Sequence, residues 1–425
     1  MMEFIRFKRG QQQVEYIRLE PHFEGNAFLP QYALLPLAFR AQTSSLPLVS
    51  VGDFVHEGQM IARAGNSLSV HVHASVPGVV AGIIDTLLPN GHSFRGLHIK
   101  TRGNFEILGK QRTPYSWRQS DQTGLIHFLD FAGLVNTAGE TTSLAEDVKA
   151  AMKQGITTLT VMLYDKDPTC ILDSFLAHRF IREVAEGIDI IAHAMDAAKI
   201  IIETDMRKKD RALFDTIGAA ISDKNLIHLT VPQTYPAENA HTRSAEKEAV
   251  VIDAATALSV YESVLHNQPM LTTYVLLTGK TLEHAKVIKA RIGTPIGNLI
   301  EECGGFRSKN THIIINGLLR GTLVDSLDLP VGKGIKSIHA VGKNIDIRQQ
   351  VDECGHCGQC LRSCPAYIDP IDTVRRIQRE RYTAETLHSI ALCSGCACCS
   401  SVCPARIPLS AIIKSAAKRG NSDAV

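Results

Sequence analysis

Cysteine is the residue type whose spacing could do chemistry in this chain. Cys354, Cys357 and Cys360 are followed by Cys364-Pro365, and Cys393, Cys396 and Cys399 by Cys403-Pro404. Both runs fit C-x2-C-x2-C-x3-C-P, a spacing that holds a 4Fe–4S cluster. Three thiolates two residues apart can sit on one tight loop around three corners of a cubane. The fourth points away and reaches the other cluster. The spacing therefore groups Cys354, Cys357 and Cys360 with Cys403, and Cys393, Cys396 and Cys399 with Cys364. Small residues between the cysteines leave backbone N–H groups free to face cluster sulfurs. Structural zinc sites also use CxxC pairs, but they do not explain a third cysteine and a Cys-Pro ending, twice over. Disulfides need an oxidising compartment. Haem attachment needs a His directly after CxxC, where Gly358 and Ala397 stand. Cys398 is off register, and Cys170 and Cys303 lie far away; all three read as small packing residues.

The elements that must position these cysteines belong to a chain of 425 residues, long enough for two to four domains. The formal charge of +2 gives no signal for nucleic acid or another polyanion. Hydrophobic content of 44% is that of packed globular domains. No run approaches the roughly 20 apolar residues of a membrane span. Met1–Gly10 is polar and basic, without the apolar stretch of a secretory signal. The cysteine usage suits a reduced, cytoplasmic setting.

Residues 1–108 read as β, with short apolar runs cut by turn signals, such as Met60-Ile61-Ala62 and Gly78-Val79-Val80-Ala81. The stretch from Val51-Gly52-Asp53 to Gly58-Gln59-Met60-Ile61-Ala62 resembles a lipoyl-like barrel sandwich. Its hairpin tip, Asn66–Ser69, has no lysine to modify, so a docking or structural role is expected. His71 and His73 share one strand face; without a third ligand they read as surface or packing residues. Residues 109–124 read as a linker. Residues 125–265 alternate helix and strand, which argues a mostly parallel sheet. The expected elements are a helix at Leu144–Gln154, a strand at Thr158–Leu163, and one long helix at Leu172–Glu186. A strand at Ile188–Ala192 and a short helix at Ala194–Ala198 precede a strand at Lys199–Glu203. A helix at Arg207–Ile221, a strand at Leu226–Val231 and a helix at Val251–Val264 follow. Residues 268–342 read as a β-grasp-type module, with strands Tyr274–Thr278 and His312–Asn316 and a helix Ile296–Glu302 stopped by Gly304-Gly305. In residues 348–416 a basic helical stretch, Ile371–Ile390, separates the two cysteine runs, as in a helical two-cluster ferredoxin. Its arginines suit either a solvated face or an acidic electron carrier.

Taken in order, these parts resemble the C subunit of Rnf-type ion-translocating electron-transport complexes and relatives such as cobalamin reductase. The resemblance rests on the barrel stretch with His73-Ala74-Ser75-Val76-Pro77-Gly78, and on Leu277-Thr278-Gly279 and Ile292-Gly293-Thr294-Pro295. It rests further on Gly304-Gly305, Leu329-Pro330-Val331-Gly332-Lys333-Gly334, both cysteine runs and Arg406-Ile407-Pro408-Leu409. It implies a multidomain α+β chain. A barrel sandwich comes first, then an α/β domain like the flavin- and NADH-binding subunit of complex I. An SLBB-like β-grasp module and a two-cluster ferredoxin domain complete it. It implies an electron-transfer subunit working with other subunits of a membrane-bound complex. That subunit would be peripheral on the cytoplasmic face and supplied by ferredoxin, a flavoprotein or NADH.

FMN and NADH in that family sit on a G-x-G-G-A-G-F-P-T loop. The matching stretch here is Leu134-Val135-Asn136-Thr137-Ala138-Gly139-Glu140-Thr141-Thr142, with one glycine and an added carboxylate. Tyr164–Cys170 and Tyr235–Asn239, with Glu246-Lys247 further on, likewise depart from the family's acidic and glycine-rich segments. The expectation is a middle domain that keeps the fold and has lost or weakened NADH oxidation. A flavin-dependent NADH:acceptor oxidoreductase and a non-catalytic adaptor with structural clusters are the rival readings.

Overall fold

The computed structural model describes residues 6–8, 11–13, 21–39, 44–87, 93–205, 210–221, 225–231, 234–236, 248–342 and 351–420. The expected Glu246-Lys247 and most of the Tyr235–Asn239 stretch lie outside these residues. The chain folds as a multidomain α+β protein.

The first unit is a barrel sandwich. One antiparallel sheet runs in the order Tyr32–Pro36, Ser93–Thr101, Gly78–Leu87, Phe54–Val55. A second runs Ser45–Pro47, Met60–Ala64, Val72–His73. Alternating side chains meet between them: Ala33 and Leu35, Leu97 and Ile99, and Ile61 are fully buried. The hairpin tip between Met60–Ala64 and Val72–His73 is closed by Ser69, whose Oγ accepts from the backbone N–H of Gly65 and Asn66.

The middle unit holds a parallel sheet, ordered Asn225–Val231, Lys199–Asp205, Thr158–Met162, Val250–Asp253. Helices cover it, as crossover connections require. The sequence expectation of a strand at Ile188–Ala192 does not hold. Those residues belong to the helix Ile181–Ala194. Its inward face buries Val184, Ile188 and Ile191, and Gly187 lies flat against the helix Ala254–Leu265. The five residues Ile188–Ala192 alone are too short a window to separate a buried helix from a strand; the polar Glu183, Glu186, Asp189 and His193 carry the helical rhythm over the full length. The expected single helix Leu172–Glu186 is broken at Phe180 into Leu172–Arg179 and Ile181–Ala194. Val251 lies in a strand. The helix that follows begins after Asp253, whose carboxylate caps it by accepting from Thr256 N–H.

The third unit is a six-stranded mixed sheet: Thr322–Val324, Thr311–Ile315, Ser337–Gly342, Thr272–Thr278, Lys286–Arg291, His22–Asn26. The helix Ile296–Glu302 packs its Ile296, Leu299 and Ile300 onto this sheet. The outermost strand, His22–Asn26, comes from the start of the chain and pairs in parallel with Lys286–Arg291.

The cysteine-bearing unit is helical: Gln359–Ser363, Pro370–Gln378, Ala384–Leu392, Cys398–Ser401 and Leu409–Gly420. The expected helical stretch Ile371–Ile390 is two helices. It breaks where Glu380 turns left-handed and Thr383 caps the next helix. No helix among the described residues is long and apolar enough to cross a membrane.

Candidate functional site

The two cysteine runs adopt the same backbone. His356 and Gly395, Gly358 and Ala397, and Tyr367 and Arg406 stand at equivalent places, and all six have positive φ. Left-handed residues at these points turn successive amides inward, the arrangement that cradles anionic sulfur. The inward amides find thiols: Leu361 donates to Cys360, Ala366 and Ile368 to Cys364, and Cys398 to Cys396. These donors fit an iron–sulfur cluster, whose sulfurs need hydrogen bonds to fix their potential.

Cys364, Cys393, Cys396 and Cys399 line a single cavity of about 20 Å³, walled by Pro365, Ile368 and Ile413. In the other set, burial raises the Cys360 pKa, and the nearby Cys403 and Cys354 add to the shift. Burial pushes Cys399 up to about 12, with Cys396, Cys393 and Cys364 reinforcing it. A hydrogen bond from Cys398 brings Cys396 down to about 6. Crowded thiolates of this kind need a cationic centre to hold them together. Among the described residues no three His, Cys, Asp or Glu side chains stand in metal-holding geometry. Cys398 packs against Tyr235 in a small apolar cluster and lines no part of the cysteine cavity.

Above the carboxyl end of Thr158–Met162 lies a cleft of about 400 Å³. It is lined by the Thr137–Thr141 loop, Tyr164–Asp167, Arg320 and Lys336, and it reaches Ser394 beside the second cysteine run. The crevice at the carboxyl ends of parallel strands is where open α/β folds bind ligands. Thr137, Glu140 and Thr141 of the loop stand on its wall.

The acidic residues singled out from the sequence are committed elsewhere. Asp165 accepts from the N–H groups of Asp173 and Ser174, at the start of Leu172–Arg179. Asp167 accepts from the N–H groups of Leu319 and Arg320 at 2.9 and 2.8 Å. Under the cleft sits a buried cluster that the sequence did not announce. Lys336 Nζ pairs with Asp173 at 2.6 Å and with Asp253. Burial pushes Asp173 up to about 8 against the pull of Lys336. Burial alone would raise Asp253 too, but Lys336 and Thr256 hold it below the usual carboxylate range. One lysine thus keeps one carboxylate ionised, while the other favours its proton. The signal was absent because the partners come from three distant segments.

A three-residue link joins this region to the second cysteine run. Arg320 Nε donates to Tyr235 Oη at 3.1 Å, and Tyr235 Oη donates to the Cys396 carbonyl at 2.6 Å. The basic residues between the runs are partly paired. Arg376 bonds Asp372 and Glu385, and Arg375 approaches His356, while Arg379 and Arg381 are exposed.

Residues 24–104 match the family model described as the RnfC barrel sandwich hybrid domain. The chain is 26% identical over 367 residues to the C subunit of the ion-translocating oxidoreductase complex of Rhodobacter capsulatus, covering 82% of this chain and 70% of that one. It is 26% identical over 372 residues to the C subunit of the Na+-translocating ferredoxin:NAD+ oxidoreductase complex of Acetobacterium woodii, covering 83% of each. It is 24% identical to the C subunit of the proton-translocating ferredoxin:NAD+ oxidoreductase complex of Clostridium ljungdahlii, covering 80% and 78%. Among solved structures, an NAD+-reducing [NiFe]-hydrogenase shares the fold over 73% of this chain and 63% of that one, with a TM-score of 0.50 and 12% identity.

Proposed function

We propose that this RnfC-like chain is an iron–sulfur electron-transfer subunit of an ion-translocating oxidoreductase complex. Cys354, Cys357, Cys360 and Cys403 would hold one 4Fe–4S cluster, and Cys393, Cys396, Cys399 and Cys364 the other. Such clusters, when bound, supply single-electron transfer with no protein acid or base. The observation that carries the reading is the convergence of Cys364, from the first run, with three cysteines of the second on one cavity. The chain's own residues do the rest. Inward amides at Cys360, Cys364 and Cys396 tune the potential, and the apolar wall of Ile368 and Ile413 limits water.

The reading assigns residues 1–108 to the barrel, 125–265 to the α/β unit and 268–342 to an SLBB-like β-grasp unit. Residues 348–416 form the ferredoxin-type unit. The relatives named above are C subunits of ion-translocating complexes. By that likeness this chain works beside other subunits at the cytoplasmic face of a membrane. It exchanges electrons with ferredoxin, a flavoprotein or NADH. In the cleft, Asp165 and Asp167 are already bonded to backbone amides and the loop carries side chains where a phosphate needs bare backbone. Weak or absent NADH oxidation by the chain alone follows.

A second reading keeps flavin. The cleft's 400 Å³ is within the range of small-molecule sites, and it reaches Ser394 next to Cys393. Iron and flavin analysis of anaerobically purified protein separates the two. About eight irons per chain, no flavin and no bleaching by NADH alone are expected. One flavin per chain with prompt bleaching would replace the relay by an NADH oxidoreductase. Absence of iron after reconstitution would overturn all three readings, since the adaptor too carries its clusters.

A further inference from the structure

A second chamber lies at the junction of the barrel, the α/β unit and the mixed sheet, with a volume of about 200 Å³. It borders the cleft, sharing Thr141 and Gly334 as a wall. Leu37, Phe39, Val72, Met270, Ile292 and Ile335 make up its apolar lining, with Ser45, Asn316 and Thr322 also on the wall. Its ionisable residues are His73 and Lys333.

Both are in costly surroundings. His73 is 3% exposed, and neither ring nitrogen has a partner among the described residues. Only the edge of Phe131 stacks against its ring. A buried polar group without a partner is rare and destabilising, and each such case asks for an explanation. Lys333 is 8% exposed and donates to the carbonyls of His71 at 3.0 Å and Gly133 at 2.5 Å, leaving a third donor. No acidic group among the described residues pairs with it. Burial alone draws its pKa down to about 7 and that of His73 to about 3, the latter with Lys333 adding to the shift.

We propose that this chamber is a binding site for a small organic carboxylate with an apolar body. One carboxylate oxygen accepts from Lys333 Nζ. A carboxylate supplies the negative charge that the buried Lys333 lacks. The apolar walls set the body. A cavity of roughly 150 Å³ holds a benzene ring, so this chamber suits one ring or a branched chain of similar size. Flavin and nicotinamide nucleotides are too large for it. The proposal is independent of the cysteines. Iron content reports on them and ligand binding on the chamber, so either reading can fail alone.

The test uses the full chain with sodium benzoate as the probe and benzamide as its neutral counterpart, read by saturation-transfer NMR and calorimetry. Benzoate is expected to bind once per chain, and benzamide at least tenfold more weakly, the loss of one charge-assisted hydrogen bond. Lys333→Met should weaken benzoate by a similar factor. Lys333→Gln, which keeps a donor without the charge, should weaken it severalfold. It serves as the second variant if Lys333→Met does not fold. Failure of benzoate to bind the native chain at any soluble concentration would mean a solvent-filled chamber and overturn the proposal. So would equal binding of benzoate and benzamide, or unchanged binding in the variants.

Discussion

His339 is 2% exposed, and its Nε2 meets Ser337 Oγ at 3.0 Å. Burial lowers its pKa to about 4. The unfolded chain takes up a proton at this histidine near its ordinary value of about 6.5, and the folded chain does not. Its contribution to stability is therefore complete above pH 6.5 and is lost as pH falls from there towards 4, at about 1.4 kcal/mol per pH unit. Unfolding of His339→Gln followed against pH should lose that much slope relative to the native chain. Parallel profiles would show that the ring is not held neutral. At this scale the sequence was legible where covalent spacing speaks, as in the eight in-register cysteines. It was silent on Lys336, Asp173 and Asp253. Their ion pairs close over long chain separations, and no local pattern marks a lysine that will be buried.

The helix Ile181–Ala194 shows what an element can hide. Gly187 faces Ala257, and an added Cβ would lie 2.0 Å from the Ala257 carbonyl oxygen. Ala is ordinarily the better helix residue by up to about 1 kcal/mol. Here the two helices must separate to admit a methyl group. Gly187→Ala is expected to lower unfolding free energy by about 1–3 kcal/mol, measured by urea denaturation. An unchanged or raised midpoint would mean the contact is loose. The same helix was read from sequence as partly strand, because Ile188–Ala192 taken alone is a short isoleucine-rich run that fits either element, although buried Val184, Ile188 and Ile191 keep a helical rhythm over the full length. Elements with a sharp cap were easier: Gly304 and Gly305, both at positive φ, stop Ile296–Glu302 where expected. The two cysteine loops repeat backbone as well as sequence, so their pseudo-symmetry was visible before any coordinates.

The units are joined by buried charge. Arg291, on the mixed sheet, pairs with Glu57 of the barrel at 2.5 Å and donates to the Ser75 carbonyl. The other Glu57 oxygen accepts from Ile107 and Leu108 N–H at 2.6 and 3.1 Å, on the segment leaving the barrel. Arg291→Met would leave the Glu57 carboxylate buried without its cation, at a cost of about 3–5 kcal/mol. The expected result is a barrel that becomes protease-sensitive before the rest of the chain; uniform resistance would show that the pair is dispensable. The multidomain α+β make-up and the N-terminal barrel sandwich were readable from turn signals and motif order. Their mutual docking was not, because Glu57 and Arg291 are each unremarkable in their own segments.

The strand His22–Asn26 carries a further consequence, in time rather than space. Just beyond it, Phe28 N–H donates to the Glu302 carboxylate, a contact spanning 274 residues. Its ladder partner Lys286–Arg291 is equally late in the chain. At a synthesis rate of about 5–20 residues per second, this strand leaves the ribosome roughly fifteen seconds to a minute before its neighbour exists. During that interval it is an unpaired edge beside a nascent barrel, the kind of segment that chaperones shield. The mixed sheet is then among the last parts of the molecule to close, and its earliest strand waits longest for a partner.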